Sequence, residues 1–222
     1  MATLSHEEHL YTLDLGDDEN RFSPEWLDSV HAALDELEAT SGPAALITMG
    51  TGKFYSNGLD LEWLGENADQ LDTYVGRVES LFARVLTLPV PTVAAVNGHA
   101  FGAGAMFAMA HDWRVMRDDR GYFCFPEVDI TIPFTPGMTA LITSKLTPRT
   151  AVDAMTTGRR YASADAVSAG LVDAAAPLEE LSGRAASMVR DLAGKDRSTL
   201  GTIKSRLFAD PVAALRPADG EA

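Results

Sequence analysis

The sequence predicts an α/β domain, and three observations carry that prediction. Extended and helical patterns alternate through the first half of the chain. The apolar, β-branched run Thr92–Val96 reads as a buried central strand. A glycine-rich turn then leads into a wholly apolar segment that ends at Ala110. The 222 residues suit one domain with a sizeable core. Within that single domain, 1–222, the expected division is an α/β part over about 1–137 and a helical part over about 138–210.

Taken in order, LYTLDL (10–15) alternates apolar and polar residues, the pattern of a half-buried strand. Ser23 offers an N-cap and Pro24 a first helical residue, opening a helix to about Ala39. Trp26, Leu27, Val30, Ala33, Leu34 and Leu37 mark its buried face by their i, i+3, i+4 spacing. AALITM (44–49) reads as a fully buried strand, followed by the loop GTGKFYSNG and a short helical stretch from Leu59 to Leu64. Residues 69–88 predict an amphipathic helix with Leu71, Val75, Val78, Leu81, Phe82 and Val85 inward, ended by Pro89 and Pro91. After the central strand, Asn97-Gly98, Gly102 and Gly104 predict a turn straight into a buried helix.

The second half turns helical. Pro133, Pro136 and Gly137 mark a break, and Met138–Leu146 predicts a helix. Thr147 and Pro148 cap the next, to about 157. Ser163 starts a short helix that Gly170 ends, with Leu171 and Val172 opening an extended piece. Helices over 178–193 and 198–208 complete the tail, and the last dozen residues are expected to fray.

Composition removes several function classes. A net charge of −14 argues against a nucleic-acid partner, because phosphate binding is driven by clustered Lys and Arg. Ala100–Ala110, the longest nonpolar run, is far short of the ~20 residues of a membrane span. MATLSHEEHL has no apolar core of a secretory leader, and Cys124 is the sole cysteine, so a cytoplasmic location is the expectation. His6-Glu7-Glu8-His9 has its histidines three apart rather than four, at a terminus expected to be mobile, so it reads as a solvated face. Gly50-Thr51-Gly52-Lys53 lacks the phosphate-loop spacing, the glycines after Asn97 do not fit G-x-G-x-x-G, and no G-x-S-x-G elbow occurs. His99 and His111 read as structural groups at helix ends, and no cluster of ligands supports a metal.

One combination does point to chemistry. A glycine turn before a helix leaves backbone N–H groups unpaired and aimed outward, a fit for an oxygen gaining negative charge. Glu127 follows among Phe123, Phe125, Pro126, Val128 and Ile130, where an apolar setting would raise its pKa and make it a base. Each signal alone also has a plain explanation: close helix–strand packing for the glycines, and the solvent face of a strand for the Glu.

Four segments together are more specific. KFYSNGLDL (53–61), PTVAAVNGHAFGAGAMFAMAHD (91–112), FPEVDITIPFTPG (125–137) and TGRRYASADAVSAGLVD (157–173) resemble, in order and spacing, the motifs of the crotonase family of enoyl-CoA hydratases and isomerases. Thr131 stands where that family usually has glycine. The resemblance spans about residues 8–208 and implies a ClpP/crotonase-like spiral of ββα turns with a helical C-terminal part. It also implies an acyl-CoA thioester as substrate, no cofactor beyond the coenzyme A that the substrate carries, and a homotrimer or dimer of trimers.

Carried over singly, the oxyanion-hole N–H groups map to Leu59 and Ala103, and the catalytic carboxylate to Glu127. Ser56, Asn57, Gly58, Asp60, Leu61, Gly102 and Met106 map to the substrate-binding segments, with Asp60 ordering its loop. Family hydratases use two glutamates, and Met106 occupies the position of the first. The one-glutamate pattern is that of Δ3,Δ2-enoyl-CoA isomerases, with another one-glutamate thioester reaction (hydrolase or lyase) or a non-catalytic CoA-binding protein as alternatives. Phe101, Phe107 and Phe134 are expected to join Met106 beside the acyl chain, Asp129 to be ion-paired or solvated, and Lys53, Arg159, Lys204 and Arg206 are candidate contacts for CoA phosphates.

Overall fold

The computed structural model describes residues 1–216. Strands β1 (Thr3–Glu7) and β2 (Leu10–Asp14) form an antiparallel hairpin, and α1 (Pro24–Ala39) carries the chain to β3 (Ala45–Met49), parallel to β2. Three strand–strand–helix passages are then laid down. The first is β3, β4 (Phe54–Ser56), then α2 (Leu61–Glu66) and α3 (Leu71–Thr87). The second is β5 (Thr92–Val96), β6 (His99–Phe101) and α4 (Ala103–Ala110). The third is β7 (Trp113–Arg117), β8 (Phe123–Cys124) and α5 (Pro136–Lys145).

The first strand of each passage joins one sheet and the second joins another. Counting β9 (Ala174–Ala176), the larger sheet runs β1-β2-β3-β5-β7-β9, parallel except for the hairpin. The smaller sheet is β4-β6-β8, all parallel. The chain therefore advances as a spiral of ββα turns. Successive corners touch: a Cβ on Gly98 would lie 2.0 Å from the Lys53 carbonyl, so only glycine fits that corner. Asn97 ties the corners together, accepting from Gly50 N–H at 2.9 Å and donating to the Gly52 carbonyl at 3.1 Å.

Strands β3 and β5 at the middle of the larger sheet are buried on both faces, which is why they are apolar without alternation. Ala45, Ile47, Val93, Ala95 and Val115 pack toward α8 (Leu178–Val189), whereas Leu46, Ala94, Val96 and Met116 join the main core. That core also holds the inward face of α1, whose six buried residues are those the spacing predicts, and the whole of α4. The remaining helices are α6 (Pro148–Thr157), α7 (Ser163–Ser168), α9 (Arg197–Leu207) and α10 (Ala209–Leu215), which packs on α3 and α5.

Several expectations are corrected. Thr3–Glu7 is a paired strand rather than a mobile end, although His6 to His9 are exposed as predicted. The turn after β5 contains a strand, β6, so His99 lies in a sheet and only His111 sits at a helix end. Leu71 is exposed at the start of α3, not inward. The extended piece after Gly170 begins at Ala174, with Leu171 to Asp173 in a bend. The expected fraying of the last dozen residues fails through Leu215, because Pro211 and Leu215 are buried in α10, and a proline in a first helical turn is tolerated. Residues 217–222 lie outside the described residues. No described helix is long and apolar enough to cross a membrane.

Candidate active site

The site is assembled where the loop after β4 meets the start of α4. That loop is clamped from behind. Ser56 Oγ donates to the Asn20 carbonyl at 2.7 Å and accepts from Gly58 N–H at 3.0 Å, while Phe22 N–H donates to the Gly58 carbonyl at 2.9 Å. Asp60 caps α2 by accepting from Trp63 N–H at 3.2 Å, and its own N–H donates to Tyr74 Oη at 2.9 Å. Gly58, with φ of 81°, presses on α4: a Cβ there would be 2.9 Å from Ala103 N. Leu59 and the first residue of α4 are thus brought together. Neither Leu59 N–H nor Ala103 N–H donates a hydrogen bond among the described residues.

Gly102 precedes α4 with φ of 52° and ψ of −123°, a conformation that side chains disfavour. A Cβ at that position would also sit 3.2 Å from Glu127 Oε1, so the carboxylate lies directly over the peptide that leads to Ala103. Glu127 stands in a turn, held by Ile130 N–H donating to the Pro126 carbonyl at 3.1 Å and Ile132 N–H to the Glu127 carbonyl at 3.1 Å. Its side chain is 7% exposed and Oε2 has no partner. Burial pushes its pKa up to about 7, opposed by its own N–H. The strand-face explanation of this Glu is excluded. Val128 and Ile130 are exposed, whereas Phe123 and Phe125 are buried, and one carboxylate oxygen is set against Gly102.

A cavity of about 980 Å³ opens at this point. Glu127, Gly102, Ala103, Leu59 and Met106 line it together, as do Asn57 and Leu61. Ser56, Gly58 and Asp60 are not on its wall; they hold the loop that is. Phe101 lines it, but Phe107 is fully buried against Phe22 and Trp26, and Phe134 packs on Phe125. Asp129 is exposed beside Gly158 without an ion-pair partner among the described residues.

The cations sort differently from the sequence expectation. Lys204 is buried, donating to the Val90 carbonyl at 2.7 Å and to Asp112 at 2.5 Å, and so anchors α9. Arg159 pairs with Asp165 at 3.0 Å. Neither these two nor Lys53 and Arg206 line the cavity; Arg21, Arg160 and Arg216 do. Sequence reasoning also missed Glu79 of α3, buried on the cavity wall. Its spacing of four from Val75 and three from Phe82 places it on the inward face, a signal that was there to be used. Among the described residues no cluster of His, Cys, Asp and Glu is arranged to hold a metal ion.

Known proteins resemble this chain in sequence and in fold. The sequence model of the family described as enoyl-CoA hydratase/isomerase matches residues 9–216. Enoyl-CoA delta isomerase 3 of Arabidopsis thaliana is 39% identical over 183 residues, 79% of this chain and 77% of that protein. The peroxisomal enoyl-CoA delta isomerase 1 of the same plant is 36% identical, covering 79% and 75% of the two chains. A solved structure of a probable enoyl-CoA hydratase from Mycobacterium tuberculosis superposes with a TM-score of 0.89 at 25% identity, covering 97% of this chain and 91% of that one.

Proposed function

The chain belongs to the crotonase family of enoyl-CoA hydratases and isomerases, and within it we propose that it is a Δ3,Δ2-enoyl-CoA isomerase with Glu127 as its single base. The observation that carries this is a buried carboxylate with an unpartnered oxygen, placed over Gly102 beside the unspent N–H of Ala103. Met106 supports it too, because a thioether on that wall has no proton to give and cannot activate water.

The thioester oxygen accepts from Leu59 and Ala103 N–H. Glu127 takes a proton from C2 of a 3-enoyl-CoA, and the electrons spread into a dienolate whose oxygen carries the charge. Fixed donors in a site that excludes water stabilise that charge without reorganising. The same carboxyl returns the proton at C4, leaving the double bond between C2 and C3. The raised pKa suits both halves of the task, since a base near neutrality can accept a proton and give it back. Coenzyme A enters as part of the substrate, and no further cofactor takes part. Arg160, on the cavity wall over the Phe101 ring, is the cation best placed for a CoA phosphate.

The discriminating experiment is a panel of CoA thioesters followed by mass spectrometry, scoring isomerisation, water addition and free CoA separately. Double-bond migration at unchanged mass is expected; dominant CoA release or water addition would replace this function with a hydrolase, lyase or hydratase. The assembly proposed is a homotrimer or dimer of trimers. Sedimentation near the 23.8 kDa of one chain at micromolar concentration would exclude it. A cytoplasmic location, proposed from the lone buried Cys124, is open to test by cell fractionation.

A further inference from the structure

The carboxylate of Glu79 has no part in that chemistry, yet it faces the same cavity. Asp72, Val75, Gly76 and Glu79 share one face of α3 along the wall, and the face passes from an exposed Asp72 to Glu79, only 7% exposed. Seven residues of helix set Glu79 roughly 10 Å beyond Asp72. It therefore lies at the buried end of that face, with Met138 and Leu215, both buried, also on the wall.

The surroundings are built to hold one of its oxygens. Thr135 caps α5, accepting from Met138 N–H at 3.0 Å, and its hydroxyl donates to Glu79 Oε1. A Cβ on Gly137 would come within 2.7 Å of that same oxygen, so the first turn of α5 leaves room for the carboxylate. The other oxygen, Oε2, has no hydrogen bond, and no Lys or Arg lies within ion-pair distance among the described residues. Burial holds this carboxyl above the usual range. Glu127 is set against Gly102 instead, whereas Glu79 is set against Gly137 in the first turn of α5.

A plain alkyl chain reaching that end would strip water from Glu79 and offer nothing in return. Leaving a buried polar group unpaired costs more than an ordinary hydrogen bond contributes, so such a group rejects an apolar partner strongly. On the CoA-thioester assignment above, we propose that Glu79 is a specificity-determining residue that selects acyl chains carrying a hydroxyl group remote from the thioester, which donates to Oε2.

The test reads binding apart from turnover. Saturated acyl-CoAs, which cannot isomerise, are titrated calorimetrically as a series with one hydroxyl moved carbon by carbon along the chain, against the unsubstituted parent. In the wild type the best-placed hydroxyl should tighten binding about tenfold, the size expected of one hydrogen bond to a charged or partly charged acceptor. Glu79→Leu should invert the preference, and Glu79→Gln should reduce it about threefold. A parent that binds more tightly than every hydroxylated member overturns the proposal, as does an unchanged ratio in a folded Glu79→Leu. If thermal melting shows that Glu79→Leu does not fold, Glu79→Gln decides alone, and an unchanged ratio overturns it. Loss of the isomerase assignment would appear instead as absent turnover with this preference intact, and failure to bind any acyl-CoA would overturn both.

Discussion

Glu127 couples activity to stability through one proton, and that coupling can be measured. Its pKa is raised from 4.5 to about 7 because folding strips water from it and supplies no cation. That corresponds to about 3 kcal/mol against ionisation in the native state. The native state binds this proton more tightly than the unfolded chain does. The group's favourable contribution is therefore complete below about pH 4.5 and is lost as pH rises through about 7. Glu127→Gln, which keeps the shape and carries no charge, should match the wild type near pH 4 and exceed its stability by up to about 3 kcal/mol at pH 8.5. Activity should move the other way. The kcat/KM of the wild type for a 3-enoyl-CoA should climb tenfold per pH step in acid and level off above an inflection near 7, because only the carboxylate can accept the C2 proton. The glutamine variant should fall by at least the ~10²–10⁴ of a general base and lose the inflection. The assays are urea melts at the two pH values and the rise in conjugated-thioester absorbance. An inflection in the ordinary carboxylate range, or more than a tenth of the activity left in Glu127→Gln, would refute this role.

Three further substitutions probe the surroundings. Ala103→Pro should abolish turnover while Ala103→Gly keeps it; proline fits the first position of a helix, so what it removes is the free N–H, and equal activity in two folded variants would take Ala103 out of the oxyanion hole. Met106→Glu should raise the slow hydration of a trans-2-enoyl-CoA, followed as loss of enoyl-thioester absorbance, though burying a second carboxylate limits the gain; no gain in a folded variant would mean that Met106 does not face the reacting carbons. Thr131, a β-branched residue with φ of 58°, carries strain of about 1–3 kcal/mol. Thr131→Gly should raise Tm by about 2–4 °C, one kcal/mol net in a chain of this size, and a lower Tm would show that the turn is not strained.

What could be read from the chain alone was local. Ser23, Pro24 and six apolar residues at helical spacing define α1 almost without tertiary help, and Thr92–Val96 is apolar enough to have only one place to go. The strands of the smaller sheet were not legible. β4, β6 and β8 are two or three residues long, too short for any period, and exist because successive turns of the spiral offer them partners. The candidate site divides in the same way. Glu127, Leu59 and Ala103 were reached through motif resemblance, but the seat of the Glu127 carboxylate against Gly102, 25 positions earlier, has no local signal. Lys204 is a further case: nothing local to α9 reveals that its ammonium is tied to Val90 and Asp112 across the fold.

The single-base mechanism is tested most directly by following the proton itself. A 3-enoyl-CoA carrying deuterium at both C2 positions is converted in ordinary water in a single turnover, and the product is located by NMR. One carboxyl that removes a C2 deuteron and returns it from a buried, unpartnered position predicts a conjugated product with deuterium at C4. A product bearing added water, or a conjugated one with only solvent hydrogen at C4 in every turnover, would contradict it.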